Sequence, residues 1–413
     1  MTLVAVLITT ITLVSMLVRP YGVSEAASAG LGGAAMLLTR VVSITSAWHE
    51  VRHSGDILLF LLGMMVLTTI VEPSGVFDYL AEGCARLARG SGPLLLANTF
   101  LMGAVVTTLL SLDAMIIVMT PIMYALTTRR KLDPIPFMFA CVFVANTGSL
   151  LLPISNLTNL IAFNDLHLGF GAFAARMWAP NLGAVAANYV VFRWLFRKRV
   201  PKRFDMTAPA DLPSTGPWFW LCAGALLATL AGLVGLGLAH QPLSIAALLG
   251  AGVLLTGALA RRSVTAREIA RGASPSLFVF VIGLLIVVRG VEGAVVDRLS
   301  GLMPGTPQWA MVAGAGAAAL GSNLINNVPV TLLALSVAKG SAGPVREAFT
   351  YGALTGANIG PTLTTYGSLA TMLWLTMLRK RGVVIESRTY MRISVVTMPI
   401  VLAAALLALL ATA

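Results

Sequence analysis

Cysteine is nearly missing from this 413-residue chain: Cys84, Cys141 and Cys222 lie far apart on different segments. That excludes a disulfide framework and a thiolate metal cluster, which need several cysteines at short, regular spacing. Charge is scarce too. Only 11% of residues are Asp, Glu, Lys or Arg while 57% are hydrophobic, and the mean hydropathy is +0.88, which excludes a soluble domain. Acidic residues are the rarer sign, 16 against 28 Lys and Arg, so the formal net charge is +12. In a soluble chain that excess would suggest nucleic acid. Here the basic residues cluster in short loops between apolar runs, the pattern of positive-inside anchoring, so the expected partner is the lipid bilayer and no nucleic acid. The first apolar run, Thr2 to Val18, lacks a basic start and a small-x-small cleavage site, and reads as a retained helix, not a signal peptide.

The expected fold class is an all-α polytopic membrane protein. Apolar stretches near 3–19, 22–42 and 56–75 are long enough to span, since about 20 helical residues cover about 30 Å of bilayer core. Residues 76–91 are amphipathic. The stretch 92–128 is too long for one straight span and is interrupted at Ser111-Leu112-Asp113, which suggests a re-entrant hairpin between the basic groups Arg86/Arg89 and Arg129-Arg130-Lys131. A broken span follows over 134–165, reaching the outside near His167, and 170–196 returns to the basic loop Arg197 to Arg203. That loop is expected in the cytoplasm, which puts both termini in the periplasm and Arg19 inside, with Arg40 and Arg52 as exceptions outside.

After a cytoplasmic linker (197–215) the plan repeats: spans near 216–238, 243–260 and 274–296, a hairpin over 307–338, a broken span over 346–378 and a last span near 389–412. Val71-Glu72 and Val291-Glu292 end corresponding spans and precede Asp78-Tyr79-Leu80 and Asp297-Arg298-Leu299. The spans before these landmarks run in opposite directions. Residues 1–196 and 216–413 therefore read as two inverted repeats, giving about ten spans and two re-entrant hairpins.

The strongest internal match lies in the broken spans. ANTGSLLLPISNLTN (145–159) and ANIGPTLTTYGSLAT (357–371) align without a gap, pairing Ala145 with Ala357, Asn146 with Asn358, Gly148 with Gly360, Leu151 with Leu363 and Leu157 with Leu369. Backbone groups freed by a break at membrane depth are tolerated only against buried protein or a wet cavity, so each break proposes a binding site. Two tips and two breaks meeting near the midplane would gather Asp113, Asn146, Thr147, Asn156, Asn159, Asn326, Asn327, Asn358, Thr362, Thr364 and Thr365. All but Asp113 are neutral. A ring of amides and hydroxyls suits an uncharged polyhydroxyl solute or a hydrated cation better than a di- or tricarboxylate. The same residues could instead satisfy backbone and pack helices.

Asp113 is the one acidic residue read as deep in the membrane, with the others in loops or near span ends; it is a candidate for proton coupling or for capping a half-helix. Arg289, read as the lone basic residue inside a span, is expected to snorkel outward and pair with Glu292. His49-Glu50-Val51-Arg52-His53 matches the pattern of zinc hydrolases, but it reads as a short external connection with no third ligand at useful spacing. No metal, cofactor or enzymatic activity is expected.

The chain resembles the arsenite efflux permeases of the ion transporter superfamily in the 145–159 motif, in SNLINNVPVTLLALS (322–336), in TGANIGPTLTTYGSLATMLWL (355–375) and in VEPSGVFDYLA (71–81). The resemblance implies ten spans with two hairpins, elevator-like alternating access in a bacterial inner membrane, and extrusion of trivalent arsenite or antimonite in exchange for protons. Arsenite at neutral pH is an uncharged, thiophilic trihydroxide, which amides can hold and which scattered cysteines would not trap. The rivals are a sodium/proton antiporter or a carboxylate carrier of the same superfamily, an ion channel, and a membrane zinc protease built on His49, Glu50 and His53. The basic loops would suit a carrier that works alone or one that docks a cytoplasmic ATPase subunit.

Overall fold

A computed structural model describes residues 2–18, 22–166, 169–206, 212, 214–262, 264–299, 301, 303–341, 343–365 and 367–412; Arg19 and His167 lie outside them. Every regular element among these residues is helical, apart from an isolated bridge between Ser91 and Arg203. The first ten helices are α1 (Thr2–Val18), α2 (Glu25–Leu38), α3 (Ile44–His53), α4 (Gly55–Val71), α5 (Val76–Leu87), α6 (Gly92–Leu109), α7 (Leu112–Arg129), α8 (Ile135–Thr147), α9 (Leu157–Asp165) and α10 (Phe170–Leu195). After the basic linker come α11 (Pro217–Leu238), α12 (Ser244–Ala260), α13 (Ala266–Gly272), α14 (Pro275–Leu299), α15 (Pro307–Ile325), α16 (Asn327–Ala338), α17 (Gly343–Ile359), α18 (Leu369–Lys380) and α19 (Ser387–Ala411). Among the described residues α4, α6, α7, α11, α14 and α19 are long and apolar enough to cross a membrane.

The helices form two groups. In one, α2 lies along α14 beside α1 and α3, and α4 lies along α12 beside α11 and α13, the two sets meeting where α3 touches α4. In the other, α6 to α10 join α15 to α19, with α15 on α17 and α10 on α19 as the long contacts. Small residues set the seams. A methyl group added at Gly352, Gly356 or Gly360 would meet backbone of Met311, Ala315 or Ala319 at 2.0, 2.1 or 2.4 Å, so α15 and α17 lie backbone to backbone over successive turns. Between α2 and α14, Gly283 makes the same approach to Ala29, 2.4 Å from its carbonyl oxygen.

Two helices are enclosed on every side: α8 over Pro136–Thr147 and α17 over Ala348–Ile359. By contrast α11, α12 and α19 leave Leu227, Leu249 and Leu407 exposed, as lipid-facing helices do. The innermost helices are therefore the two that carry the repeated motif.

Several local expectations change. His49, Glu50 and His53 lie on α3 and not in a connection: Ser43 caps this amphipathic helix, Glu50 approaches Arg289 at 3.6 Å and His53 meets Asn164. Among the described residues no group of three or more His, Cys, Asp or Glu is placed to hold a metal. Asp113 is not the only shielded acid, since Glu25 and Glu82 are buried. Glu82 sits on the buried side of α5 and accepts from Arg130 Nη2 at 2.8 and 3.1 Å, which ties α5 to the end of α7. Nor is Arg289 the only base within a helix, because Arg176 lies on α10 and donates to the Thr412 carbonyl at 2.6 Å.

Candidate functional site

Each motif interrupts its helix by the same local chemistry. In the first, α8 stops at Gly148, Pro153 opens a single 3-10 turn (Pro153–Ser155), and Asn156 caps α9 by accepting from the Thr158 amide at 3.3 Å. In the second, α17 runs into a 3-10 turn containing Pro361 (Gly360–Leu363), and Ser368 caps α18 by accepting from the Ala370 amide at 3.2 Å. Proline removes the amide that a continuing helix would need, and a polar cap restarts it.

Two tight turns lie beside these breaks. Ser111 (φ +146°) joins α6 to α7 and Asn326 (φ +75°) joins α15 to α16, both at positive φ without being glycine. Each compensates by capping the next helix: Ser111 Oγ accepts from the Ala114 amide at 3.3 Å, Asn326 Oδ1 from the Val328 amide at 3.5 Å. The turns are internal, for Leu110, Leu112, Asn326 and Asn327 are all buried. Thr108 pins the first turn to the first break, donating to the Gly148 carbonyl at 3.1 Å while its own carbonyl accepts from Ser155 at 3.0 Å.

Asn358 is the hub. Its Oδ1 accepts from Ser149 Oγ at 2.7 Å and Asn156 Nδ2 at 2.5 Å; its Nδ2 donates to Asn159 Oδ1 at 2.9 Å and to the Leu354 carbonyl at 2.8 Å. An amide offers two donors and two acceptor sites, so Asn358 is saturated. Asn159 extends the lattice by donating to the Ser149 and Leu152 carbonyls at 2.7 and 3.1 Å. Asn146, the counterpart of Asn358 in the first motif, behaves differently. It donates only to Val142, one turn back in α8, and its Oδ1 has no partner although the residue is 1% exposed. Thr147 accepts from Asn188 Nδ2 at 2.9 Å.

The second-half candidates form a separate cluster. Asn323 donates to the Gly360 carbonyl and accepts from Thr364, each at 2.8 Å, while Thr362 closes on the Ile359 carbonyl. Asn327 is buried beside the second turn, Thr365 is half-buried, and Asn326 Nδ2 is buried without a partner. Among the described residues no side-chain hydrogen bond joins Asn326, Asn327, Thr362, Thr364 or Thr365 to the Asn358 lattice. Sequence reasoning passed over Ser149, Asn181 and Asn188, and took Ser111 only as part of the interruption of the first hairpin and Asn323 only as part of the 322–336 stretch. The signal was present for two of them: Asn181 and Asn188 are two turns apart on the apolar α10, hence on one face, and Asn181 accepts from the Leu150 amide at 3.1 Å.

A cavity of about 730 Å³ separates the two helix groups. Phe60, Met64 and Thr68 of α4 line one wall, Asp113 and Asn156 the other, so of the predicted residues these two border open space. Asp113 lies in the first turn of α7, where the amide dipoles favour negative charge. Four carboxylates, Glu25, Glu72, Asp113 and Glu268, line this cavity against one guanidinium, Arg271.

The citrate transporter family, CitMHS, matches residues 4–354. The arsenical pump membrane protein of Escherichia coli (strain K12) is 31% identical over 410 residues, covering 94% of each chain, and that of Yersinia enterocolitica is 30% identical with the same coverage. The chain belongs to this family of membrane transporters, alongside the arsenical pump membrane proteins. The fold agrees with that of solved transporters: YdaH of Alcanivorax borkumensis superposes with a TM-score of 0.59 at 15% identity, covering 88% of this chain and 86% of that one. MtrF of Neisseria gonorrhoeae gives 0.54 at 14% identity, with 86% and 80% covered. As a member of the family the chain is a multi-pass membrane transporter of a small-molecule substrate, of the bacterial inner membrane.

Proposed function

We propose that the chain is a secondary active efflux transporter that extrudes trivalent arsenite, and antimonite, from the cytoplasm in exchange for protons by alternating access. The observation that carries this reading is that Asp113 and Asn156 share one wall of the cavity, with a neutral amide and hydroxyl lattice behind Asn156. Neutral As(OH)₃ both donates and accepts hydrogen bonds. Among the predicted site residues, the buried side-chain atoms without a partner are Asn146 Oδ1, an acceptor, and Asn326 Nδ2, a donor. These two amides are the substrate ligands in this reading, with Asn156 at the cavity wall, while Asn358 and Asn159 hold the break in shape.

The helix pairing supports two inverted repeats, 1–196 and 216–413, joined by the cytoplasmic linker. Their interrupted segments supply the mobile unit, and α1, α2, α4, α11, α12 and α14 supply the scaffold of an elevator. The buried turns at Ser111 and Asn326 favour re-entrant hairpins, since a hairpin that crossed completely would place its turn in water. An uncharged cargo cannot use the membrane potential directly. Exchange for a proton can, with each charge moved worth about 2.3 kcal/mol per 100 mV. Inverted vesicles loaded with a pH gradient test this: arsenite uptake should stop when gradient and potential are collapsed, and uptake that ignores the collapse would remove the coupling.

The family's printed substrate, citrate, fits the cavity poorly, because four carboxylates against one guanidinium repel a trianion. The same excess favours a second reading, a sodium/proton antiporter. Growth of a sensitive host on arsenite, antimonite and high sodium separates the two: rescue on sodium alone would replace the first reading with the second.

A further inference from the structure

Three helices run from the large cavity to a second, much smaller one. On α4 the large cavity is lined from Phe60 to Thr69 and the small one by Ile57; on α9, by Leu157 and Leu160 against Asn164 and Asp165; on α14, by Ser276 to Phe280 against Leu285 to Glu292. Ser276 and Glu292 are sixteen residues apart on one helix, roughly 24 Å at about 1.5 Å per residue. The two cavities therefore mark opposite ends of the interface between the helix groups.

The ends differ in chemistry. The large cavity opens beside Arg271 on α13, close to Arg261 and Arg262, the basic side expected in the cytoplasm. The small cavity, of about 70 Å³, is lined by Glu50, Asp165 and Glu292 and by Arg289 and Lys339, and Arg346 reaches Asp165 from outside its lining. Most of these pairs join residues of one helix group. Arg289 meets Glu50 and Glu292, and Asp165 meets Arg346 at 3.1 Å and Lys339 at 3.8 Å. Two contacts cross. Lys339 Nζ, at the end of α16, lies 2.7 Å from Glu292 on α14, and Asn164 of α9 lies 3.3 Å from His53 Nε2 on α3.

We propose that Lys339–Glu292, backed by Asn164–His53, is a latch that holds the two helix groups together at the outer end while the cavity stands open at the inner end, and that it parts once in every transport cycle. This rests on the alternating-access reading above. A latch must be cheap to break. The Lys339 and Glu292 side chains are 43% and 16% exposed, so water takes over as the pair separates, whereas Arg130 and Glu82, at 3% and 7%, are shielded from it. The neighbouring Asp165 and Arg289 remain to pair with the freed groups.

The test reads opening directly, without substrate. In a background with Cys84, Cys141 and Cys222 replaced by alanine, Ser336→Cys places one thiol in the wall of the small cavity, where Ser336 is buried. A membrane-impermeant maleimide is added to right-side-out vesicles. Lys339→Ala and Glu292→Gln should each speed labelling roughly three- to tenfold, and the double variant no further than the faster single one. Unchanged rates, or effects that multiply in the double variant, would overturn the latch. As a second measurement, Glu292→Cys/Lys339→Cys is bridged by a short, reducible bifunctional maleimide: the bridge should stop transport and its reduction restore it. Transport through the bridged protein would equally overturn the latch. Should no variant carry arsenite or sodium, the functional reading fails, while the labelling rates still decide the latch.

Discussion

Asn146 and Asn358 occupy equivalent places in two copies of one motif, yet the structure assigns them opposite physical duties, and alanine at each should separate stability from binding. Asn358→Ala removes four hydrogen bonds of 2.5 to 2.9 Å and strips Asn156 Nδ2 and Asn159 Oδ1 of the partner they share. Leaving a buried polar group unpaired costs about 1–3 kcal/mol, so two orphans set an upper range of about 2–6 kcal/mol. Hydrogen bonds between membrane helices measure smaller, about 0.6 kcal/mol on average, which brings the expectation to about 2–4 kcal/mol. Asn146→Ala loses one bond, to Val142 in its own helix, and removes an unpartnered oxygen, so its cost should stay under about 1 kcal/mol. The assay is thermal melting of purified protein in detergent at a fixed heating rate, because unfolding of such proteins is commonly irreversible. Asn358→Ala should melt several degrees below the parent and Asn146→Ala close to it, while Asn146→Ala should weaken arsenite transport about tenfold through KM. Equal melting temperatures for the two variants would refute the division of labour, and so would loss of substrate binding in Asn358→Ala without loss of stability.

Asp113→Asn should leave α7 capped by Ser111 yet abolish proton-driven accumulation, leaving only downhill arsenite flux; accumulation that persists in vesicles with a pH gradient would show that the carboxylate does not carry the proton. Gly356→Ala places a methyl group 2.1 Å from the Ala315 carbonyl oxygen and should destabilise by about 1–3 kcal/mol, whereas Gly316→Ala, with open space around it on α15, should be neutral or slightly stabilising. Melting temperatures of the two variants check this. Glu82→Ala leaves Arg130 buried without its counter-charge and should cost about 3–5 kcal/mol, and adding Arg130→Met should recover part of that loss. Expression and melting of the single and double variants read the difference.

The helical class, the membrane setting and the positions of both breaks were legible in the one-dimensional pattern, because each is a local matter. Apolar runs of spanning length admit no soluble alternative, Pro153 and Pro361 cannot donate to a continuing helix, and Asn156 and Ser368 are good caps wherever they stand. Helix α3 was harder to see. Its ten residues, Ile44–His53, carry too little apolar length to register as a span, and their zinc-hydrolase spelling drew the eye from their amphipathic spacing. Glu82 was missed for another reason: an acidic residue on an amphipathic helix looks solvated until its partner, Arg130, arrives from a different segment.

Sequence alone thus determined where this chain bends inside the bilayer and which polar side chains travel to the bends. Tertiary structure alone decided which of those side chains is spent and which is free. Hydrogen-bond partners such as Ser149 and Asn358, more than two hundred residues apart, are chosen through space by the backbone-to-backbone seams at Gly352, Gly356 and Gly360. The two motifs share five of fifteen positions, and where the first carries Ser149, Asn156 and Asn159, which hold Asn358, the second carries Pro361, Ser368 and Thr371, so Asn146 has no matching set; only folding brings the first set onto Asn358.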